Sequence, residues 1–315
     1  MKEKIVYELN SLYREPLRVI GYEFGSGEAS ACIVGSMRGN EIQQLYSAGL
    51  MVQKLKTLEE SGMINEGKSI LVIPCLNTYS MNIGKRFWPT DNTDINRMFP
   101  GYDAGETTQR IAAGVFEKIK DYEYGIQFAS YYMRGSFLPH IRMMKTGIED
   151  IETAGKFEFP YVMTRNPRPF DTATLNYNWQ IWETKAFSVY TTSTEQIDTR
   201  SAVAAVKGIE KMMISCGILN SKIFGGFHYK SHVINDENLC TIRCNRAGIY
   251  ENKVEAGDEV VKGQLLARIL DAYSGELRQE ITSPADGIVF FIHSDPLVYA
   301  NTAVIKLVVG AFSGV

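Results

Sequence analysis

Hydrophobic positions change their period along this chain, and the changes mark its elements. Continuous apolar runs at 29–34 and 69–75 have the character of buried central strands. Residues 17–24 read as another strand, joined to the first of these by Gly25-Ser26-Gly27-Glu28, a sequence suited to a hairpin turn. From Glu41 the spacing becomes helical. Ile42, Leu45, Tyr46, Val52 and Leu55 fall on one face, and the pattern closes near Gly62. A second helical pattern at 107–120 turns Ile111, Val115, Phe116 and Ile119 inward, and a third at 201–216 does the same with Val203, Val206, Ile209 and Met213. Strands are expected at 124–130 and, among several between 137 and 192, at 187–190. Strands alternating with helices predict an α/β fold, a mixed sheet flanked by helices.

Two stretches depart from this rhythm. Residues 77–106 form a long polar segment without periodicity, and such a loop inside a compact domain is more often functional than not. Beyond Phe224-Gly225-Gly226 the helical period is gone, and short strands alternate with turn signals such as Ala256-Gly257-Asp258 and Asp286-Gly287. The expected organisation is therefore an α/β domain over 1–225 and a small all-β module over 226–315.

Composition narrows the class of function. The 315 residues are 45% hydrophobic and 22% charged, as in a globular protein. A net charge of −3 gives no reason to expect a nucleic-acid partner, which needs a basic face. No run approaches the ~20 apolar residues of a membrane span, and the start, Met1-Lys2-Glu3-Lys4, lacks the apolar core of a secretory signal. Five cysteines without framework spacing suggest reduced thiols and a cytoplasmic location. Cys240 and Cys244 could form half of a zinc site, but no second pair accompanies them. A homo-oligomer is compatible with all of this.

Chemistry is expected where the strand at 29–34 passes through Gly35 and Gly39 into a helix, since open α/β sheets place ligands at such edges. The segment Gly35-Ser36-Met37-Arg38-Gly39-Asn40-Glu41 resembles the Gly-x-x-His-Gly-Asn/Asp-Glu motif of the succinylglutamate desuccinylase/aspartoacylase family, zinc amide hydrolases with a carboxypeptidase-like fold. That family also carries a C-terminal β-domain, so the resemblance covers nearly the whole chain. Within the module, the runs from Val254 and from Ser283 look like the halves of a biotinyl/lipoyl-type barrel-sandwich. The hairpin between them, Asp271 to Glu276, has no lysine to modify, which leaves the module a structural role.

The resemblance implies two zinc ligands in the first motif, and here they are Arg38 and Glu41. A guanidinium has no lone pair for a metal. The third ligand would be a histidine ending a central strand, where this chain has Ala129, with Gln127 in place of the preceding acid. Asp94-Ile95-Asn96-Arg97 matches the family's substrate-binding motif, which casts Asn96 and Arg97 as ligand-binding residues, with Arg86 as a further carboxylate partner. Glu195, after a strand, corresponds to the general base. The four histidines, His140, His228, His232 and His293, read as ordinary structural residues. The resulting expectation is a metal-free relative without a cofactor, in which Arg38 occupies the metal position and pairs with Glu41. It would bind a small anionic molecule, an N-acyl amino acid or similar carboxylate. The alternative is an active hydrolase with zinc on Glu41, His140 reaching in from the next strand, and Glu195 as base.

Overall fold

The computed structural model of the chain describes residues 1–11, 13, 15–220 and 230–310, with the backbone of 313–314. Its elements run β1 (Lys2–Leu9), β2 (Leu17–Gly25), β3 (Gly27–Ser36), α1 (Ile42–Glu60), β4 (Gly67–Cys75), α2 (Thr78–Asn82), α3 (Thr107–Ile119), β5 (Tyr124–Ala129), β6 (Gly135–Phe137) and β7 (His140–Met144). Then come α4 (Ile151–Gly155), β8 (Tyr161–Arg165), α5 (Leu175–Ile181), β9 (Lys185–Tyr190), α6 (Thr199–Ser215) and β10 (His232–Ile234). The C-terminal part is all strand: β11 (Leu239–Arg243), β12 (Gly248–Asn252), β13 (Glu259–Val260), β14 (Leu265–Leu270), β15 (Leu277–Thr282), β16 (Gly287–His293), β17 (Leu297–Val298), β18 (Ala303–Val308) and β19 (Ser313–Gly314).

The main sheet is mixed, in the order β1-β2-β4-β3-β5-β9-β7-β8-β10-β19. The expected hairpin between β2 and β3 does not form. β4 lies between them, antiparallel to β2 and parallel to β3. Apolar on both faces over Ile70–Ile73, β4 belongs in the interior, whereas β2 has half-exposed positions suited to a place nearer the edge. The turn between β2 and β3 instead passes tightly over β4. A Cβ at Gly27, whose φ is +130°, would come within 2.4 Å of the Gly67 carbonyl. β1 escaped the sequence reading because it is a charged, largely exposed edge strand, a composition that guards an edge against unwanted pairing.

Helices cover both faces. α1 and α6 pack on one face through Met51, Leu55, Ile209 and Met212, and α3 and α5 on the other through Ile111, Val115, Leu175 and Trp179. Val52 and Leu55 are buried as expected, but in the first turns of α1 the buried face is rotated from the expected one. Gln43, Gln44 and Ser47 are buried in its first turns while Ile42, Leu45 and Tyr46 are half-exposed. The reason is hydrogen bonding. The Gln43 amide donates to the Asp198 carbonyl and the Ser201 hydroxyl, both at 3.0 Å, and Gln44 donates to the Ala129 carbonyl at 3.1 Å. In α6, Val206, Ile209 and Met213 are buried as expected together with Ala202, Ala205 and Met212, and only Val203 of the expected face is exposed. The aperiodic segment 77–106 is held by Trp88, Ile95 and Phe99, all buried in the second core.

The C-terminal strands form two small sheets, β11-β18-β16-β13 and β15-β14-β12-β17, around their own core of Leu266, Ile269, Val289 and Ile305. The two parts exchange strands. β10 and β19 extend the main sheet beside β8, while β6 pairs with β16 in the module. The boundary expected at 225 falls in 221–229, outside the described residues, as does His228. Among the described residues no helix is long and apolar enough to cross a membrane.

Trp179 is fully buried, donates from its indole to the Ile119 carbonyl at 3.0 Å, and lies against Gly125 so closely that a Cβ there would approach its ring to 2.6 Å. Trp179→Ala is expected to lower the unfolding free energy by about 3–5 kcal/mol, read from urea denaturation. Gly125→Ala should destabilise through overpacking at the same spot.

Candidate functional site

Strand alternation builds the floor of the principal cavity. Along β5, β9, β7 and β8 the register pairs Gln127 with Ser188, Ala129 with Tyr190, Ser188 with Arg142, and Arg142 with Met163. These residues share one face and line a cavity of about 460 Å³. Their neighbours in sequence, among them Ile126, Phe187, Val189 and Ile141, point into the core under α1 and α6. The loop carrying Asn96 and Arg97 and the segment around Asp171 form the walls, and Lys306 of β18 reaches in from the module.

At one end lies Arg38, buried with Glu41. Its Nη1 donates to Glu41 Oε1 at 2.7 Å, and its Nε and Nη2 donate to Asp94 at 3.0 and 2.9 Å. The Glu41 carboxylate also accepts from the backbone N–H groups of Met37 and Arg38 at 2.8 and 3.1 Å and from the Ser130 hydroxyl. Burial by itself would loosen the guanidinium proton, but Glu41 and Asp94 outweigh it and raise the Arg38 pKa above its ordinary value. The sharp turn from β3 into α1 makes this possible, since it places Arg38 and Glu41 three residues apart and brings the backbone N–H groups of Met37 and Arg38 onto the carboxylate.

Catalytic zinc is ordinarily held by three protein ligands. At the two expected histidine positions stand a guanidinium that can only donate and the methyl of Ala129, and Glu41 already accepts from four donors. This donor set does not fit zinc. Among the described residues no group of three or more His, Cys, Asp or Glu is placed to hold a metal ion.

The other expected site residues are distributed unequally. Arg86, Asn96 and Arg97 line the same cavity as Arg38 and Ala129. Arg97 donates to the Phe170 carbonyl at 2.6 Å and lies 3.5 Å from Asp171, and the Asn96 side-chain Oδ1 accepts from the Leu175 N–H at 3.2 Å. Arg86 has no ion-pair partner among the described residues, and its pKa is lowered by burial and by the nearby Arg38. Glu195 lies elsewhere. It is exposed in a neighbouring cleft, accepting from Asn40 at 2.8 Å and standing 3.7 Å from Arg134. His140 does not line the cavity. Its Nδ1 is 2.8 Å from the Leu138 carbonyl, its Nε2 is 3.3 Å from the Tyr131 hydroxyl, and its ring stacks on Tyr190.

Several cavity residues were not singled out from sequence: Ser130, Arg142, Arg165, Arg168, Asn176 and Lys306. Asn176 is 3% exposed, and neither its amide nitrogen nor its carbonyl oxygen has a partner among the described residues. A charged residue in the middle of an apolar strand, as in Ile141-Arg142-Met143 and Ile305-Lys306-Leu307, was the available signal.

No family model matches this chain. It is 22% identical over 278 residues to the N-alpha-acetyl-L-2,4-diaminobutyric acid deacetylase of Halomonas elongata, covering 82% of this chain and 76% of that protein. Among solved structures, a succinylglutamate desuccinylase from a Silicibacter species matches with a TM-score of 0.81 at 18% identity, over 100% of this chain and 94% of that one. The product-bound ectoine utilization protein EutE (DoeB) of Ruegeria pomeroyi matches with a TM-score of 0.76 at 20% identity, over 94% and 90%. A succinylglutamate desuccinylase/aspartoacylase from Rhodobacter sphaeroides matches with a TM-score of 0.76 at 17% identity, over 93% and 89%. The fold is that of the succinylglutamate desuccinylase/aspartoacylase proteins.

Removing the Arg38 charge strands two acids. Arg38→Met is expected to cost about 3–5 kcal/mol of stability in urea denaturation, because Glu41 stays buried without its counter-charge. Adding Glu41→Gln should recover part of that loss. His140 supplies a pH dependence. Burial pushes its pKa down to about 3, against about 6.5 in the unfolded chain. Between those values the unfolded chain takes up a proton that the folded one refuses. Stability should therefore be full above pH ~6.5 and fall toward pH ~3 by at most about 1.4 kcal/mol per pH unit, and the slope of the urea midpoint against pH should flatten in His140→Phe.

Proposed function

We propose that this chain is a member of the succinylglutamate desuccinylase/aspartoacylase family that works without a metal, binding a small carboxylate such as an N-acyl amino acid and leaving its amide bond intact. What supports this most is the Arg38 side chain, held between Glu41 and Asp94 where the family motif has a metal-binding histidine. A fixed cation of this kind substitutes for the charge of a metal ion but not for its chemistry. It cannot coordinate a water molecule and lower its pKa from 15.7 toward ~7. A carboxylate arriving in the cavity would meet Arg86 and Arg97, whose planar forks suit it, with the unpaired amide of Asn176 as a further donor. The active-hydrolase alternative needs Glu195 at the reacting bond and a histidine on the metal, and Glu195 is turned toward Asn40 and Arg134 instead.

After equilibration with excess zinc and desalting, the protein is expected to retain far less than about one zinc per chain, the stoichiometry of a catalytic site. The double variant Arg38→His, Ala129→His restores a three-ligand set with Glu41 and should raise retention. Stoichiometric zinc in the unaltered protein, lost in Glu41→Gln, would overturn the proposal. Calorimetric titration with N-acetylated amino acids should show binding that weakens about 10- to 100-fold in Arg97→Met and in Arg86→Met, as expected for a lost charged hydrogen bond, with no release of acetate.

A further inference from the structure

Away from Arg38, the cavity collects positive charge that the protein does not neutralise. Arg142 lies on the floor with its guanidinium over the rings of Tyr190, at 4.3 Å, and Tyr131, at 5.7 Å. It has no ion-pair partner among the described residues, and its buried Nε has no acceptor. Lys306 extends from β18 into the same space, also without an acid in salt-bridge range among the described residues. Its pKa is lowered by burial and by Arg142, Arg165 and Arg168. Asp171, one of two acids on the lining, is shared between Arg165 at 3.0 Å and Arg97 at 3.5 Å, so one carboxylate serves two guanidinium groups. Asp236, the other acid on the lining, accepts from the Asn166 backbone at 3.3 Å. The whole chain carries a net charge of −3, so this excess of cations is local.

Uncompensated cations held together at partial burial repel one another, and an anion bound among them relieves that cost. The charge and geometry of that anion can be narrowed. Its donors come from four directions: β7, β8, the loop leading to Pro169, and β18 of the module. A carboxylate brings one charge and a planar pair of oxygens, which a single arginine satisfies. A phosphate monoester brings about −1.5 to −2 and three acceptor oxygens spread over a hemisphere, and so can engage several cations at once.

We propose that this end of the cavity is a phosphoryl subsite, and that the ligand is a small phosphorylated carboxylate. Its carboxylate lies at Arg86 and Arg97, and its phosphate is held by Arg142, Arg165 and Lys306, with Arg168 at the rim. The carboxylate half rests on the function proposed above, and the phosphate half does not. Because Lys306 belongs to the C-terminal module, the module supplies a binding group as well as a cover.

The probes are 3-phosphoglycerate, glycerate (the same carbon frame without phosphate) and malate (a second carboxylate instead), titrated calorimetrically at one ionic strength. The unaltered protein is expected to bind 3-phosphoglycerate at least about tenfold more tightly than glycerate or malate, the gain of one charged hydrogen bond or more. Malate matching 3-phosphoglycerate would overturn the phosphoryl assignment, and so would absence of any preference over glycerate. The ratio of 3-phosphoglycerate affinity to glycerate affinity should fall toward one in Lys306→Met and in Arg142→Met. Lys306→Met removes an unpaired cation, so its melting temperature without ligand should rise, which separates lost binding from lost folding. Glycerate binding that depends on Arg97, with no phosphate preference, would overturn this inference alone. A phosphate preference that depends on Lys306, with no effect of Arg97→Met or Arg86→Met, would overturn the carboxylate reading and leave the phosphoryl subsite standing.

Discussion

The Arg38 guanidinium, buried between Glu41 and Asp94, is the constraint on which the site depends. Two carboxylates brought together in a low-dielectric pocket would repel each other and draw protons. One planar cation with donors on both edges satisfies both, using Nη1 for Glu41 and Nε with Nη2 for Asp94. The same contact joins the strand-to-helix turn at the start of α1 to the long segment carrying Asn96 and Arg97, adding a charge pair to the apolar anchors Trp88, Ile95 and Phe99 that hold this segment against the core. Burying three ionised groups is costly, and replacing such a cluster by apolar side chains is often neutral or stabilising. Its retention is understandable if orientation of the loop is what it secures.

Much of the fold was legible because its strands and helices obey simple periods. The apolar runs of β3 and β4 and the inward face of α3 correspond to elements of the structure, and from residue 232 on the described elements are strands and short turns without an α-helix. What could not be read was order and orientation. Nothing in residues 17–36 says that β4 will come between β2 and β3, because that choice depends on how apolar a strand 30 residues further on is on both its faces. The first turns of α1 bury a different face from the expected one for a related reason. Gln43 and Gln44 look solvent-facing until their partners, the Asp198 and Ala129 carbonyls, are brought in from distant parts of the chain.

For the site, residues in one local motif were easier to find than residues joined by the sheet. Arg38 and Glu41 are close in sequence, and Asn96 and Arg97 sit in one short segment, so the resemblance to two local family motifs marks them. Arg142, Arg165, Asn176 and Lys306 lie on four separate elements and converge only through strand register and the docking of the module. Glu195 illustrates the converse. Its proximity to a strand end suggested a place in the cleft, but the chain turns after Tyr190 and directs that carboxylate to Asn40 and Arg134.

The exchange of strands between the two parts of the molecule has a mechanical consequence. Because β6 is sewn into the module and β10 with β19 into the main sheet, neither part has a complete set of edges by itself. Rotation of one part against the other would have to break backbone ladders on both sides of the seam, so a wide hinge opening is not available to this architecture. Access to the cavity is then governed by the side chains and surface loops at its mouth, and the chain should behave as one cooperative unit when it melts.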